Sequence, residues 1–179
     1  MTEKQRSIID SALVLFAEKG FDGISTSAIA KHASVSEGLI FKHFRDKMGL
    51  LEHILNQWSD IFIDNLSKIQ AMNEYHMKIQ AIMEFPFHIK REDYPYWKLV
   101  YALRWKNQNP MGEHMDMIQS MVKEALLSLR YTDIDAEAVL IMAYFDGFMT
   151  TVILQDEPQL SSSLLKALQR KYVNSTELN

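Results

Sequence analysis

The stretch Ser25–Phe44, STSAIAKHASVSEGLIFKHF, constrains the fold more than any other part of the chain. It reads as two short helices joined by a tight turn. Ile29 and Ala30 lie inside the first helix, Ala33, Ser34, Val35 and Ser36 form the turn, and Gly38 to Phe44 belong to the second. Ser25 and Ser36 stand where a hydroxyl can cap a new helix by accepting from backbone N–H groups that otherwise lack partners. Ile29, Ala33, Val35, Ile40 and Phe44 can share one small core, which leaves Ser36, Glu37, Leu39, Lys42 and His43 facing outward. Two crossed helices with a polar, presented second member make the helix-turn-helix pattern, which docks that helix in a DNA major groove. A helical hairpin with a purely structural role shares the same caps and apolar spacing.

The flanking sequence extends the pattern. Ile8, Ile9, Ala12, Leu13 and Phe16 recur at helical spacing and predict a first helix over residues 3–19, stopped by Gly20. Phe21 and Ile24 plug the same core. Three helices of this size are marginal alone, because a short chain buries too little surface. A fourth helix starts at Asp46, which caps it, and carries Leu51, Ile54, Leu55, Trp58, Ile61, Phe62, Leu66 and Ile69 as a stripe. No Pro or Gly occurs from Leu50 to Phe85, so this helix runs out of the first three and into the rest. It is read as a mechanical link.

Pro86, Pro95 and Pro110 then break the chain and place helices near Tyr75–Phe85, Tyr96–Lys106 and Gly112–Leu129. Trp97, Tyr101 and Trp105 fall four apart on one face of the second of these. A strongly apolar helix over 135–155, capped by Asp133 or Asp135, carries Ala143, Gly147 and Thr151 four apart as a small-residue face. A mid-helix glycine costs roughly 1 kcal/mol against alanine, so close packing of another backbone accounts for it. Beyond Pro158, the residues Leu160, Leu164, Leu165, Leu168 and Tyr172 define a last helix, and the tail after Val173 is polar. The fold class expected is all-α, with about nine helices.

The residue strings agree with a known family. GFDGISTSAIAKHASVSEGLIFKHFRDKMGLL resembles the N-terminal domain of TetR/AcrR-family transcriptional regulators, specifically over about residues 5 to 55. YFDGFMTTVIL resembles the penultimate helix of the same proteins, where the last two helices pair with their symmetry mates in a four-helix bundle. The resemblance implies a helix-turn-helix domain over residues 1–48 and an effector-binding and dimerisation domain over 49–179. It implies a ligand-responsive regulator, expected to be a repressor, that binds a palindromic double-stranded DNA operator as a homodimer. No cofactor or metal is implied. A second reading, a helical interaction protein whose hairpin has lost specific DNA binding, rests on Phe41 and Glu37.

The DNA-binding set expected is Ser25, Thr26, Ser36, Glu37, Gly38, Leu39, Ile40, Phe41, Lys42, His43 and Lys47. Ser25 and Thr26 can bond phosphate through hydroxyl and backbone N–H. Gly38, lacking a Cβ, allows close approach to the sugar-phosphate chain, and Leu39 can touch a thymine methyl. Lys42 and His43 are donors to phosphate or base edges, and Lys47 matches the family's phosphate-contacting lysine. Phe41 stands where the family usually has Tyr, Glu37 where a basic residue is common, and Ala28 where an acid is common.

The effector set expected is Trp58, Phe62, Trp97, Tyr101, Trp105, Met111, Met115 and Tyr144, with Arg104 and His114 as polar partners or solvated side chains. Such stripes ordinarily form core, yet eleven methionines suit an adaptable pocket for a small apolar or aromatic effector. The dimer-interface set is Ala143, Gly147, Thr151, Leu164, Leu165 and Leu168.

Composition removes other classes. There is no cysteine, so disulfides and thiolate metal sites are excluded. The six histidines are scattered, and HExxH, phosphate-loop and nucleophile signatures are absent, so an enzyme is not expected. The start has no signal-type apolar run, and Ala138–Leu154 contains Asp146 and Gly147 and is shorter than the ~20 residues of a membrane span. A soluble cytoplasmic protein without a membrane partner is therefore expected. The net charge of −4 is unevenly spread: residues 1–50 hold seven basic against six acidic groups, the remainder twelve against seventeen. Affinity for DNA depends on the local patch rather than the total.

Overall fold

A computed structural model of the chain describes residues 1–106 and 108–172. Nine α-helices and no strand occur among these residues: α1 Glu3–Lys19, α2 Thr26–His32, α3 Glu37–Phe44, α4 Lys47–Gln70, α5 Tyr75–Glu84, α6 Tyr94–Arg104, α7 Gly112–Ser128, α8 Ile134–Thr150 and α9 Pro158–Tyr172. The all-α class and the helix count match the expectation. The polar tail after Val173 lies outside the described residues.

The helix starts are set by local chemistry. Thr2 and Gln5 form a reciprocal capping box on α1, with the Gln5 N–H donating to Thr2 Oγ1 at 3.2 Å and the Thr2 N–H to Gln5 Oε1 at 2.7 Å. Ser25 Oγ accepts from the Ala28 N–H at 3.1 Å, Asp46 Oδ1 from the Gly49 N–H at 2.7 Å, and Asp133 Oδ1 from the Ala136 N–H at 3.3 Å. Ser36 occupies the cap position of α3 in extended backbone but makes no cap bond, contrary to expectation. α1 ends at Gly20, whose φ of 76° and ψ of 153° lie in a region essentially reserved for glycine.

Two compact units emerge. The first comprises Met1–Phe62 and Glu92–Met111; the second comprises Ile63–Arg91 and Gly112–Asn179. These units divide the chain differently from the functional split expected at residue 48, because α6 packs against α1 in the first. Ile8, Ala12, Phe16, Ile29, Ile40, Leu50, Ile54 and Leu99 are fully buried there. Trp58 stacks on Tyr96 with centroids 4.7 Å apart, and Phe62 meets Trp97 edge-on at 5.5 Å. Tyr96, absent from the expected core, is the largest fully buried side chain, and its hydroxyl donates to Met111 Sδ at 3.5 Å. Burial pushes the Tyr96 phenol far above its ordinary range. Ile61, expected in the α4 stripe, is instead exposed.

In the second unit, α5, α7 and α8 pack together around Ile82, Met83, Ile118, Val122, Leu126, Ala138 and Phe145. α8 continues into a wider π-type turn over Thr151–Gln155, and Asp156 then adopts a left-handed conformation before Pro158 opens α9. The helical run Ile134–Gln155 is 22 residues, long and apolar enough by length and composition to cross a membrane. That corrects the expectation that it falls short; Ala138, Ile141, Phe145 and Met149 nonetheless face the unit's own core.

Candidate nucleic-acid interface

The turn between α2 and α3 has a definite mechanism. Ser34 takes φ +55°, its N–H donates to Lys31 O at 3.3 Å, and the Val35 N–H donates to Ala30 O at 3.0 Å. This bond pair is a Schellman motif, which satisfies the last carbonyls of α2 and turns the chain sharply. A serine holds the left-handed position that glycine usually fills, so the sequence alone gave no clear sign of it.

α1 braces this hairpin at three points. Ser7 Oγ donates to Ala33 O at 3.1 Å, His32 Nδ1 and Ser11 Oγ lie 3.0 Å apart, and Gln5 Nε2 and His43 Nδ1 lie 3.2 Å apart. A fourth bond joins the two helix starts, with Thr26 Oγ1 donating to Glu37 Oε1 at 2.6 Å. Glu37, expected in the DNA-binding set at a position where the family is often basic, is thus half-buried and holds the start of α3 against the start of α2.

The junction between α3 and α4 is tight. Arg45 takes φ 71° and ψ −53°, and the Asp46 N–H reaches Phe44 O at 2.8 Å. That is a three-residue γ-turn of the rarer hand, a strained conformation for a side-chain-bearing residue. A Cβ added at Gly49 would lie 2.1 Å from Phe44 O, so only glycine fits beneath that carbonyl. Asp46 caps α4, and the Gly49 N–H that it accepts, with help from Arg45, holds its carboxyl below the usual carboxylate range.

Against this frame, the expected DNA set separates. Ser25, Ser36, Gly38, Lys42 and His43 are exposed, Thr26 and Leu39 are half-buried, and Phe41 is 50% exposed. Nothing lies within 4 Å of the position a Cβ would take at Gly38. Ile40 is fully buried under α3; it supports the helix and cannot reach a duplex, which corrects its inclusion. Lys47 Nζ donates to Phe21 O at 3.0 Å and Ile24 O at 2.9 Å, over the Phe21 ring. Two of its three donors therefore tie α4 to the segment before α2, leaving one for phosphate. Lys106 pairs with Asp22 in the same segment and holds the Asp22 carboxyl below its ordinary range.

Residues 8–54, spanning α1 to the first turns of α4, match the model of the family described as bacterial regulatory proteins, tetR family. That segment is a TetR-family N-terminal domain. The HTH-type transcriptional regulator YuxN of Bacillus subtilis (strain 168) is 42% identical over 74 residues, which are 41% of this chain and 25% of YuxN. The chain thus matches only a quarter of that relative's length. Among solved structures, a transcriptional regulator from Saccharomonospora viridis in complex with choline superposes with a TM-score of 0.71 at 18% identity, covering 100% of this chain and 98% of that one. FadR from Bacillus subtilis in complex with stearoyl-CoA gives 0.67 at 20% identity, covering 91% and 96%. These structures share the fold. The TetR-type domain is therefore a DNA-binding helix-turn-helix of the transcription-regulator class, on a chain with no strand among its described residues.

The chain also holds a cavity of about 610 Å³ within its second unit. Met77, Met83, Leu126, Leu140, Ile141 and Leu168 supply apolar wall; His76, Gln80, Tyr131, Glu137 and Tyr144 supply polar atoms. Of the expected effector residues, only Tyr144 lines it. Trp58, Phe62, Trp97, Tyr101 and Met111 are packed in the first unit, and Met115 is half-buried on α7. Trp105 is 85% exposed, because α6 stops at Arg104 and the four-residue face ends with it. His114 is buried, and that burial lowers its pKa. Ala143 and Gly147 are exposed on α8, while Thr151, Leu164 and Leu165 are half-buried. Leu168 turns into the cavity wall instead of outward, which corrects its place in the interface set.

Proposed function

We propose that this TetR-family chain is a ligand-responsive repressor that binds a palindromic operator as a homodimer in the cytoplasm. The observation that carries the reading is α3 itself: Gly38, Phe41, Lys42 and His43 are presented outward over a buried Ile40 and Phe44. Two copies related by two-fold symmetry would offer two such helices to successive major-groove faces, about 34–36 Å apart for one helical turn. The apolar strip Val139, Ala143, Gly147 and Leu154, exposed along α8 and its extension, supports pairing with a second copy. Leu164 and Leu165 of α9 would flank it.

The effector enters the cavity of the second unit in this reading. Structural neighbours hold stearoyl-CoA and choline, two unlike molecules, so the fold itself does not select the ligand. α4 belongs to the first unit up to Phe62 and to the second from Ile63, and would carry the change. Coupling of this kind is typically about 1–3 kcal/mol, or about 5–150-fold in operator affinity.

The test is fluorescence anisotropy with duplex from upstream of the chain's own gene against a scrambled duplex, across a salt series. A preference of about 10³ or more is expected. Lys42→Ala should weaken all duplexes alike, and Leu39→Ala should change sequence preference. Equal, weak binding to every duplex in a selection from random sequences would favour an interaction protein with a degenerate helix-turn-helix.

A further inference from the structure

The wall of the second-unit cavity has a one-sided charge. Among the described residues it contains one carboxylate, Glu137, and no Lys or Arg. Glu137 is half-buried on the first turns of α8, and its carboxylate makes no ion pair or hydrogen bond among the described residues. The neighbouring Asp135, by contrast, is neutralised by Lys123 at 2.6 Å. Two phenol rings, Tyr131 and Tyr144, lie on the same wall, with Gln80 beside them on α5. The remaining wall is methionine and branched aliphatic side chain, with His76, whose Nδ1 lies 3.9 Å from Glu74 Oε2, as its one imidazole.

Each feature selects against an anion. A carboxylate in an apolar setting repels a second one, and the described wall offers no Lys or Arg to receive a phosphate or carboxylate head. An amine or quaternary ammonium gains from the same groups. It neutralises Glu137 in a medium of reduced dielectric, and aromatic faces attract cations, most strongly where water is excluded. The methionines and leucines accept an alkyl or aryl body of no fixed shape.

We infer that the cavity takes an amphiphilic organic cation, its ammonium near Glu137 and the two tyrosines and its apolar body along Met83, Leu126 and Leu168. The inference rests on the reading of this cavity as the effector site, and names the class of molecule that fills it.

The test uses the full chain and two probes sharing a ten-carbon tail, decyltrimethylammonium and decanoate, by titration calorimetry at pH 8 below their micellar concentrations. The common tail cancels, so the difference reports the head group. The cation should bind about tenfold tighter or more. Glu137→Gln should collapse that gap to within about threefold, whereas Glu137→Asp, which keeps the charge, should retain most of it. Leu129→Trp, at a wall position already 38% exposed, should weaken both probes and so locate them in the cavity. Circular dichroism establishes that each variant is folded. Decanoate binding as tightly as the cation, a gap that survives Glu137→Gln, or no binding of either probe would overturn the inference. Duplex anisotropy run with the cation separates the two claims. Cation-selective binding that leaves DNA affinity unchanged would sustain the ligand class and remove the effector role.

Discussion

At Gly49 a single missing methyl group sets the angle between the presented helix and the long one behind it. Its Cα sits beneath the Phe44 carbonyl, which also receives the Asp46 N–H across the strained Arg45 turn. Gly49→Ala should therefore cost about 1–3 kcal/mol, since the atom met is backbone and cannot swing aside. For a chain of this size that corresponds to about 2–4 °C in Tm per kcal/mol, read by thermal unfolding. DNA affinity should fall as well, because α3 must tilt to make room. The position is written plainly in DKMGLL, yet nothing in the string separates a glycine required by a carbonyl from one merely tolerated. Ser34 and Arg45 were harder still, for left-handed backbone in a serine and an arginine leaves no compositional mark. The caps Ser25 and Asp46 were legible, because an oxygen-bearing side chain just before an apolar run has one dominant use, whereas α8 offered both Asp133 and Asp135 and only the structure chose Asp133.

Among the elements, α1, α4 and α9 could be read from periodicity, since long amphipathic stripes have few alternative folds. α6 was harder. Its stripe Trp97, Tyr101 and Trp105 is regular in sequence, but the helix ends before the third member, which is left in solvent. The cavity proposed as the effector site was the least legible element. Aromatic residues were the natural candidates, and most of them fill the first unit's core, while the cavity is lined largely by methionine, leucine and tyrosine. α8 yields a prediction of its own. A Cβ at Gly147 meets nothing within 4 Å of its own chain. Gly147→Ala should then strengthen the helix by up to about 1 kcal/mol in a single copy. If a second copy closes on that face, the same substitution should raise the dimer dissociation constant about tenfold, because a close backbone contact loses its clearance. Sedimentation equilibrium measures the second effect and thermal unfolding the first. An unchanged dimer constant would move the interface off α8.

For the molecule as a whole, acid should be felt through α7 before it reaches the carboxylates. Burial disfavours the charged imidazole of His114, with Glu113 opposing in part. Its folded-state pKa therefore lies below the unfolded value near 6.5, and the unfolded chain takes a proton that the folded chain refuses. Stability should fall as pH drops through and below about 6.5, and flatten once the folded form titrates too. Denaturant titrations between pH 7.5 and pH 5 should show this slope, and His114→Gln should reduce it. At the same scale, the pairing of α6 with α1 bears on anyone who would treat regulators as interchangeable parts. The chain leaves the second unit at Arg91, supplies α6 to the first, and returns at Gly112. A reader domain cut out at residue 48 would arrive in a new host without the helix that covers α1 and without Lys106, which holds Asp22. The host's own sixth helix would have to fit a surface it never met. A working chimera needs two transplanted segments, residues 1–62 and residues 92–111, and the natural unit of exchange in this fold is split along the gene.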